Sequence, residues 1–113
     1  MARNPQDKRD MPPPTAVKNR RLKVSPGGVI TLPVAARKAL KMAVGEGARV
    51  TVAVERGVVT LAPAGSTGGF RVSPGGQFEL RGDARAALEA GAKRHYWIEL
   101  QDAKGQVRLH PYG

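Results

Sequence analysis

One six-residue string occurs twice in this chain: Lys23-Val24-Ser25-Pro26-Gly27-Gly28 returns, with one basic residue exchanged for the other, as Arg71-Val72-Ser73-Pro74-Gly75-Gly76. Internal repetition constrains architecture more than any single motif does. Holding the offset of 48 positions without gaps lays 22–63 over 70–111, and 14 of the 42 aligned positions are identical. The identities fall in three blocks, S-P-G-G, R-x-A-L and G-x-V-x-L-x-P, all in one register. Chance similarity between short segments rich in Ala, Gly and Val does not keep three blocks in phase, so the chain carries a duplication. It divides into a tail (1–21), repeat 1 (22–63), a linker (64–69) and a more divergent repeat 2 (70–113).

Within repeat 1, Leu22-Lys23-Val24 alternates apolar and polar, Ser-Pro-Gly-Gly makes a turn, and Val29-Ile30-Thr31-Leu32 is again extended, which predicts a hairpin. Pro33 suits the first turn of a helix, where its missing N–H is not needed. The segment 34–42 is rich in helix formers, with Ala36, Ala39 and Leu40 on one face and Arg37, Lys38 and Lys41 mostly on the others. Gly45 and Gly47 stop that helix, and the stretches 48–54 and 58–61 read as a second hairpin around Glu55-Arg56-Gly57. Repeat 2 has the same order, with Asp83 as a candidate cap for a helix over 84–90 and a closing hairpin around Lys104-Gly105. Each unit is therefore expected to be ββαββ, and the chain mainly β with short helices.

A unit of 42 residues is near the size below which a chain rarely stabilises its own core without disulfides or metals. The sequence has no cysteine, which excludes both disulfides and thiolate metal sites. The two units are thus expected to share one barrel-like core. The tail, rich in Pro, Lys, Arg and Asn, lacks the apolar surface to fold alone, and the Ala-Gly-Ser-Thr-Gly-Gly linker reads as flexible.

The formal net charge is +10, divided as +4 on the tail, +4 on repeat 1 and +2 on repeat 2. Such a charge predicts attraction to polyanions. No apolar run approaches the ~18 residues of a membrane span, and the N-terminus lacks the apolar region of a signal peptide, so a cytoplasmic protein without membrane association is expected. Five aromatic side chains make a thin platform for stacking single-stranded bases. Neither a G-x-G-x-x-G run nor a P-loop lysine motif occurs. No paired carboxylates or activated nucleophile stand out, so neither an enzyme nor a cofactor is expected.

The run S-P-G-G-V-I-T-L-P-V-A-A-R-K-A-L-K-M-A-V-G-E-G-A-R-V, followed by V-E-R-G-V-V-T-L-A-P, resembles the AbrB/MazE/SpoVT swapped-hairpin family; the likeness covers 22–63 well and 70–111 more weakly. The resemblance implies two ββαββ units interleaving their hairpins into one small barrel, which presents basic residues to double-stranded DNA. It implies a transcription regulator, or the antitoxin half of a pair with a toxin-like protein partner. Carried over by position, it assigns DNA contact to Arg37 and Lys38 on the helix, to Arg85 in repeat 2, and to Lys23 and Arg71 on the first strands. Lys41, on the same helix, and Arg20 and Arg21, just before the first strand, join them on charge and placement. Repeat 2 departs from the pattern: Arg81 replaces Pro33, Ala86 replaces Lys38, and Glu79 and Glu89 add negative charge. Repeat 1 and the tail are thus expected to form most of the binding face. A monomeric pseudo-dimer and a homodimer both satisfy the shared-core argument. The rival reading is an antitoxin-like or structural protein-interaction module whose charge aids solubility alone.

Overall fold

The computed structural model describes residues 15–18, 22–43, 45–64 and 69–112. The described chain is mainly β. Its elements are strands β1 (Thr15–Val17) and β2 (Val29–Thr31), helix α1 (Val34–Ala39), strands β3 (Ala48–Glu55), β4 (Val58–Pro63), β5 (Phe70–Val72) and β6 (Gln77–Glu79), helix α2 (Gly82–Glu89), and strands β7 (Tyr96–Gln101) and β8 (Gln106–Pro111). Short 3₁₀ turns at Ala92–Arg94 and Asp102–Lys104 bracket β7.

The two repeats are interlocked rather than placed side by side. In each, the S-P-G-G turn, closed by Gly28 N–H to Ser25 O at 2.8 Å and Gly76 N–H to Ser73 O at 2.9 Å, leads to a hairpin that stays together for one further backbone bond, Ser25 N–H to Val29 O and Ser73 N–H to Gln77 O, both 3.0 Å. Beyond it the arms part. The second arms pair with each other as a two-stranded ribbon, β2 with β6. The first arms join the other repeat's third strand: β5 pairs with β3, while Lys23 bridges His95 at the start of β7. The remaining strands form one six-stranded sheet in the order β1-β7-β8-β4-β3-β5.

Two registers reveal the symmetry. Ile30 pairs with Phe78, and Thr60 with Arg108; each is paired with its own counterpart 48 positions away. In an antiparallel ladder that occurs where a local two-fold axis passes. The axis therefore runs from the β2–β6 ribbon at one end to the β4–β8 seam at the other. Reciprocal bonds obey it: Leu32 N–H donates to Gly76 O and Leu80 N–H to Gly28 O, both 2.8 Å.

The expected closed barrel is not what forms. The large sheet is open, with β1 and β5 as its edges, and the ribbon is a separate sheet. The hairpins cause this: splaying one bond beyond the turn, they send their arms to different sheets, and arms of three residues are too short to close the gap. The shared core does form. Val24, Ile30, Leu32 and Leu61 from repeat 1 and Val72, Leu80, Leu88, Ile98 and Leu109 from repeat 2 are buried in one cluster. Strict alternation on β7 and β8 supplies Tyr96, Ile98, Leu100, Val107 and Leu109 to it.

Three local expectations change. The first helix stops at Ala39, because Lys41 adopts a left-handed φ of 63° and Met42 N–H turns back to Arg37 O at 3.0 Å. Those are the positive φ and the six-to-one bond of a Schellman ending, here without glycine. The second helix starts at Gly82 after Arg81; Asp83 lies in its first turn and makes no capping bond. Thr15–Val17 fall within the segment expected to stay unfolded, yet they pair with Ile98–Leu100 of β7.

Candidate nucleic-acid interface

On the ribbon, Ile30 and Phe78 point into the core. Alternation then turns Val29, Thr31, Gln77 and Glu79 outward. Arg71 stands beside it; with Val29, Ser73, Gln77, Phe78 and Glu79 it lines a shallow depression of about 250 Å³. Lys23 occupies the counterpart position on the other side of the axis and is exposed. Arg81 holds the Glu79 carboxylate at 3.2 Å. A two-stranded antiparallel ribbon has dimensions that enter a DNA major groove. This one offers a hydroxyl and an amide outward, with a cation on each flank.

Of the residues named from sequence, Lys23, Lys38, Lys41 and Arg71 are exposed. Arg71 and Lys23 flank the ribbon, while Lys38 is on α1 and Lys41 just beyond its end. Arg20 and Arg21 lie outside the described residues.

Arg37 and Arg85 are half-exposed and make contacts within the chain. Each is folded against the S-P-G-G turn of the opposite repeat. Arg37 Nε donates to Leu32 O at 2.9 Å and packs on Gly76. Arg85 packs on Gly28, donates Nη2 to Pro26 O at 3.1 Å and pairs through Nε with Glu89 at 3.0 Å. The same Glu89 carboxylate takes Arg94 Nη2 at 2.7 Å, and Arg94 reaches Ser25 O at 2.9 Å. These arginines brace the turns. Local spacing gives no sign of what Arg94 does, because the turn it braces is 69 positions away in the chain.

A second cluster decorates the outer face of the large sheet. Trp97 and His110 stack at 4.1 Å, and Lys18 Nζ sits 5.5 Å from the Trp97 ring centroid. Glu99 accepts from Gln101 at 2.7 Å and lies 2.9 Å from His110 Nε2. The Gln101 hydrogen bond, aided by His110 and by the Arg108 charge, holds the Glu99 carboxyl below its usual range against the opposing effect of burial. Burial pushes the Tyr96 phenol well up, so it stays neutral. Among the described residues no group of three or more His, Asp or Glu gathers as for a metal, and no helix is long and apolar enough to cross a membrane.

Fold and surface together define a class: an intrachain duplication with local two-fold symmetry, displaying a cation-flanked β-ribbon at one end of its axis. No family model matches the chain, and neither a curated protein nor a solved structure matches it at a significant level.

Proposed function

We propose that this chain is a duplex-DNA-binding transcriptional regulator of the AbrB/MazE/SpoVT type, acting as a pseudo-dimer built from one polypeptide. The observation that carries the reading is the β2–β6 ribbon on the two-fold axis, flanked by Lys23 and Arg71. The excess of +10 charges supports it, as does the reciprocal exchange of hairpin arms, the arrangement that the resemblance implies. On this reading Thr31 and Gln77 face base edges and Lys23, Arg71, Lys38 and Lys41 neutralise phosphates, since phosphate contacts position a protein and base contacts specify. Arg20 and Arg21 extend the grip from the tail.

The test is fluorescence anisotropy with duplex DNA at several salt concentrations. Binding weakens steeply as salt rises, and Lys23→Ala with Arg71→Ala flattens the log–log slope by about 0.9 for each phosphate that is no longer neutralised. Absence of binding at low salt, or an unchanged slope in the double variant, refutes the reading. Glu79, which brings negative charge to the ribbon, favours a second reading, a protein-interaction module. A stable partner that co-purifies free of nucleic acid would support that one.

A further inference from the structure

Strand β3 is longer than the strand on its outer side. β4 pairs with it from Val50 to Glu55, whereas β5 reaches only from Ala48 to Val50. Arg49 O accepts from Ala64 N–H on the β4 side at 2.9 Å. Backbone direction alternates along an antiparallel strand. Thr51, Ala53 and Glu55 therefore also turn their N–H and C=O groups to β4, and Val52 and Val54 turn theirs away. Among the described residues no strand lies against that edge. The counterpart edge in repeat 2 is covered, because β1 pairs with Ile98–Leu100 of β7. The side chains register the difference. Leu100 is 6 % exposed, while its counterpart Val52 is only half-buried. Val54, on the same face, is 37 % exposed, and Phe70, paired with Val50 on that face, is 43 % exposed. Proteins guard free edges with Lys, Pro or a bulge. The segment 51–54 has neither Lys nor Pro, and its register with β4 is unbroken.

We propose that this edge joins a second copy of the chain, β3 against the same strand of its partner, in an antiparallel pair centred on Ala53. The register is self-complementary. With Ala53 on the new two-fold axis, Val52 lies opposite the partner's Val54, and Thr51 opposite the partner's Glu55. The backbone groups of Val52 and Val54, which face outward, are then the ones that meet, as two hydrogen-bonded pairs. Ala53 takes the non-hydrogen-bonded place on the axis, where Cα atoms approach to about 4.5 Å, and its small side chain suits that distance. Valine meets valine on the apolar side, a favourable cross-strand pair, and Phe70 extends that side beyond Val52. On the polar side no like charges stand directly opposite. A segment that fits itself in this way selects a second copy over an unrelated strand, and such an isologous contact closes at two chains. The pairing needs no DNA. The +10 charge on each copy opposes approach, so association strengthens as salt screens it, the opposite of the salt dependence of DNA binding.

The test is sedimentation equilibrium of the full chain, free of nucleic acid, over a concentration series at low and high salt. The apparent mass is expected to rise from 12.0 kDa toward twice that value, at lower concentration in high salt. Val54→Lys puts a charge on the edge, and Val54→Pro removes an outward N–H that β4 does not use. Each substitution occurs twice across the axis, so each is expected to weaken the dimer by about tenfold or more, the effect of losing two hydrogen bonds. Val34→Lys, at an exposed apolar position on α1, leaves the association unchanged. A mass that stays at one chain under every condition overturns the proposal, as does a dimer that keeps its affinity in both Val54 variants. A dimer lost in Val17→Pro and kept in Val54→Lys is held by exchanged β1 strands, and growth beyond two chains shows an open contact; either result also overturns it.

Discussion

The two S-P-G-G turns are equivalent by sequence and unequal by environment, which makes alanine at Gly28 and at Gly76 a quantitative probe. Both glycines have positive φ, 81° and 86°, so either alanine costs about 1–2 kcal/mol in backbone strain. At Gly28 the three atoms nearest a new methyl all belong to the Arg85 side chain, at 2.9 to 3.1 Å. That side chain can swing away, losing its bond to Pro26 O and about 0.5–1.5 kcal/mol more. At Gly76 the methyl meets Arg37 Nε and the backbone oxygen of Leu32, both at 2.7 Å. Leu32 cannot swing: its N–H is bonded to Gly76 O, and its oxygen accepts from Arg37. Losing both bonds brings the total for Gly76→Ala to about 2–5 kcal/mol, against about 1.5–3.5 for Gly28→Ala, a difference of one bond or about 1 kcal/mol. In urea, with m near 1–2 kcal/mol/M for a domain of this size, the two midpoints are expected about 0.5–1 M apart. Each variant unfolds in one transition, because both turns close over one core. Equal midpoints would refute the distinction between a mobile and an anchored obstacle. Two resolved transitions in either variant would refute the shared core.

Leu80→Ala and Leu32→Ala, at counterpart positions that are 1 % and 0 % exposed, should each cost about 2–5 kcal/mol by urea denaturation. A loss confined to one repeat's spectral signals would contradict a common interior. Glu89→Gln should destabilise by about 1–2 kcal/mol, because it weakens two charge-assisted bonds at a partly exposed site; the loss should shrink when Arg94 is already alanine, in a double-mutant cycle. Glu99 titrates below its ordinary value of 4.5 in the folded state. Its contribution is complete above that value and is lost as pH falls through the lower folded one. Melting temperature against pH should therefore decline less steeply below pH 4.5 in Glu99→Gln than in wild type, and parallel acid limbs would argue against the network.

What the sequence made legible is what repetition and local period encode. The duplication, the strand order, the turns at Ser25–Gly28 and Ser73–Gly76, and the need for a common core are all read from spacing and size. The open sheet is not, because closure depends on how far a hairpin stays zipped, and that is fixed by partners elsewhere in the chain. The site shows the same limit. Lys23, Arg71, Lys38 and Lys41 are exposed as their alternation and helix positions suggest. Arg37 and Arg85 have the same local signature yet are only half-exposed, because they fold against glycines that belong to the other repeat.

The divergence of the two repeats then acquires a physical meaning. Glu89 and Arg94 stand where repeat 1 has Lys41 and Glu46, a reversal of both charges. Repeat 2 can therefore clasp the turn of repeat 1 through Glu89, Arg85 and Arg94. Repeat 1 cannot return that clasp, since its cation at the first of those positions, Lys41, is exposed. The acids that lower the charge of repeat 2 thus include one that ties the halves together, while Lys23, Lys38 and Lys41 of repeat 1 stay at the surface. Two identical subunits could not divide these tasks, because any change would appear on both sides of the axis. Joining the copies in one chain permits one turn to be braced by three charged groups and the other, among the described residues, by Arg37.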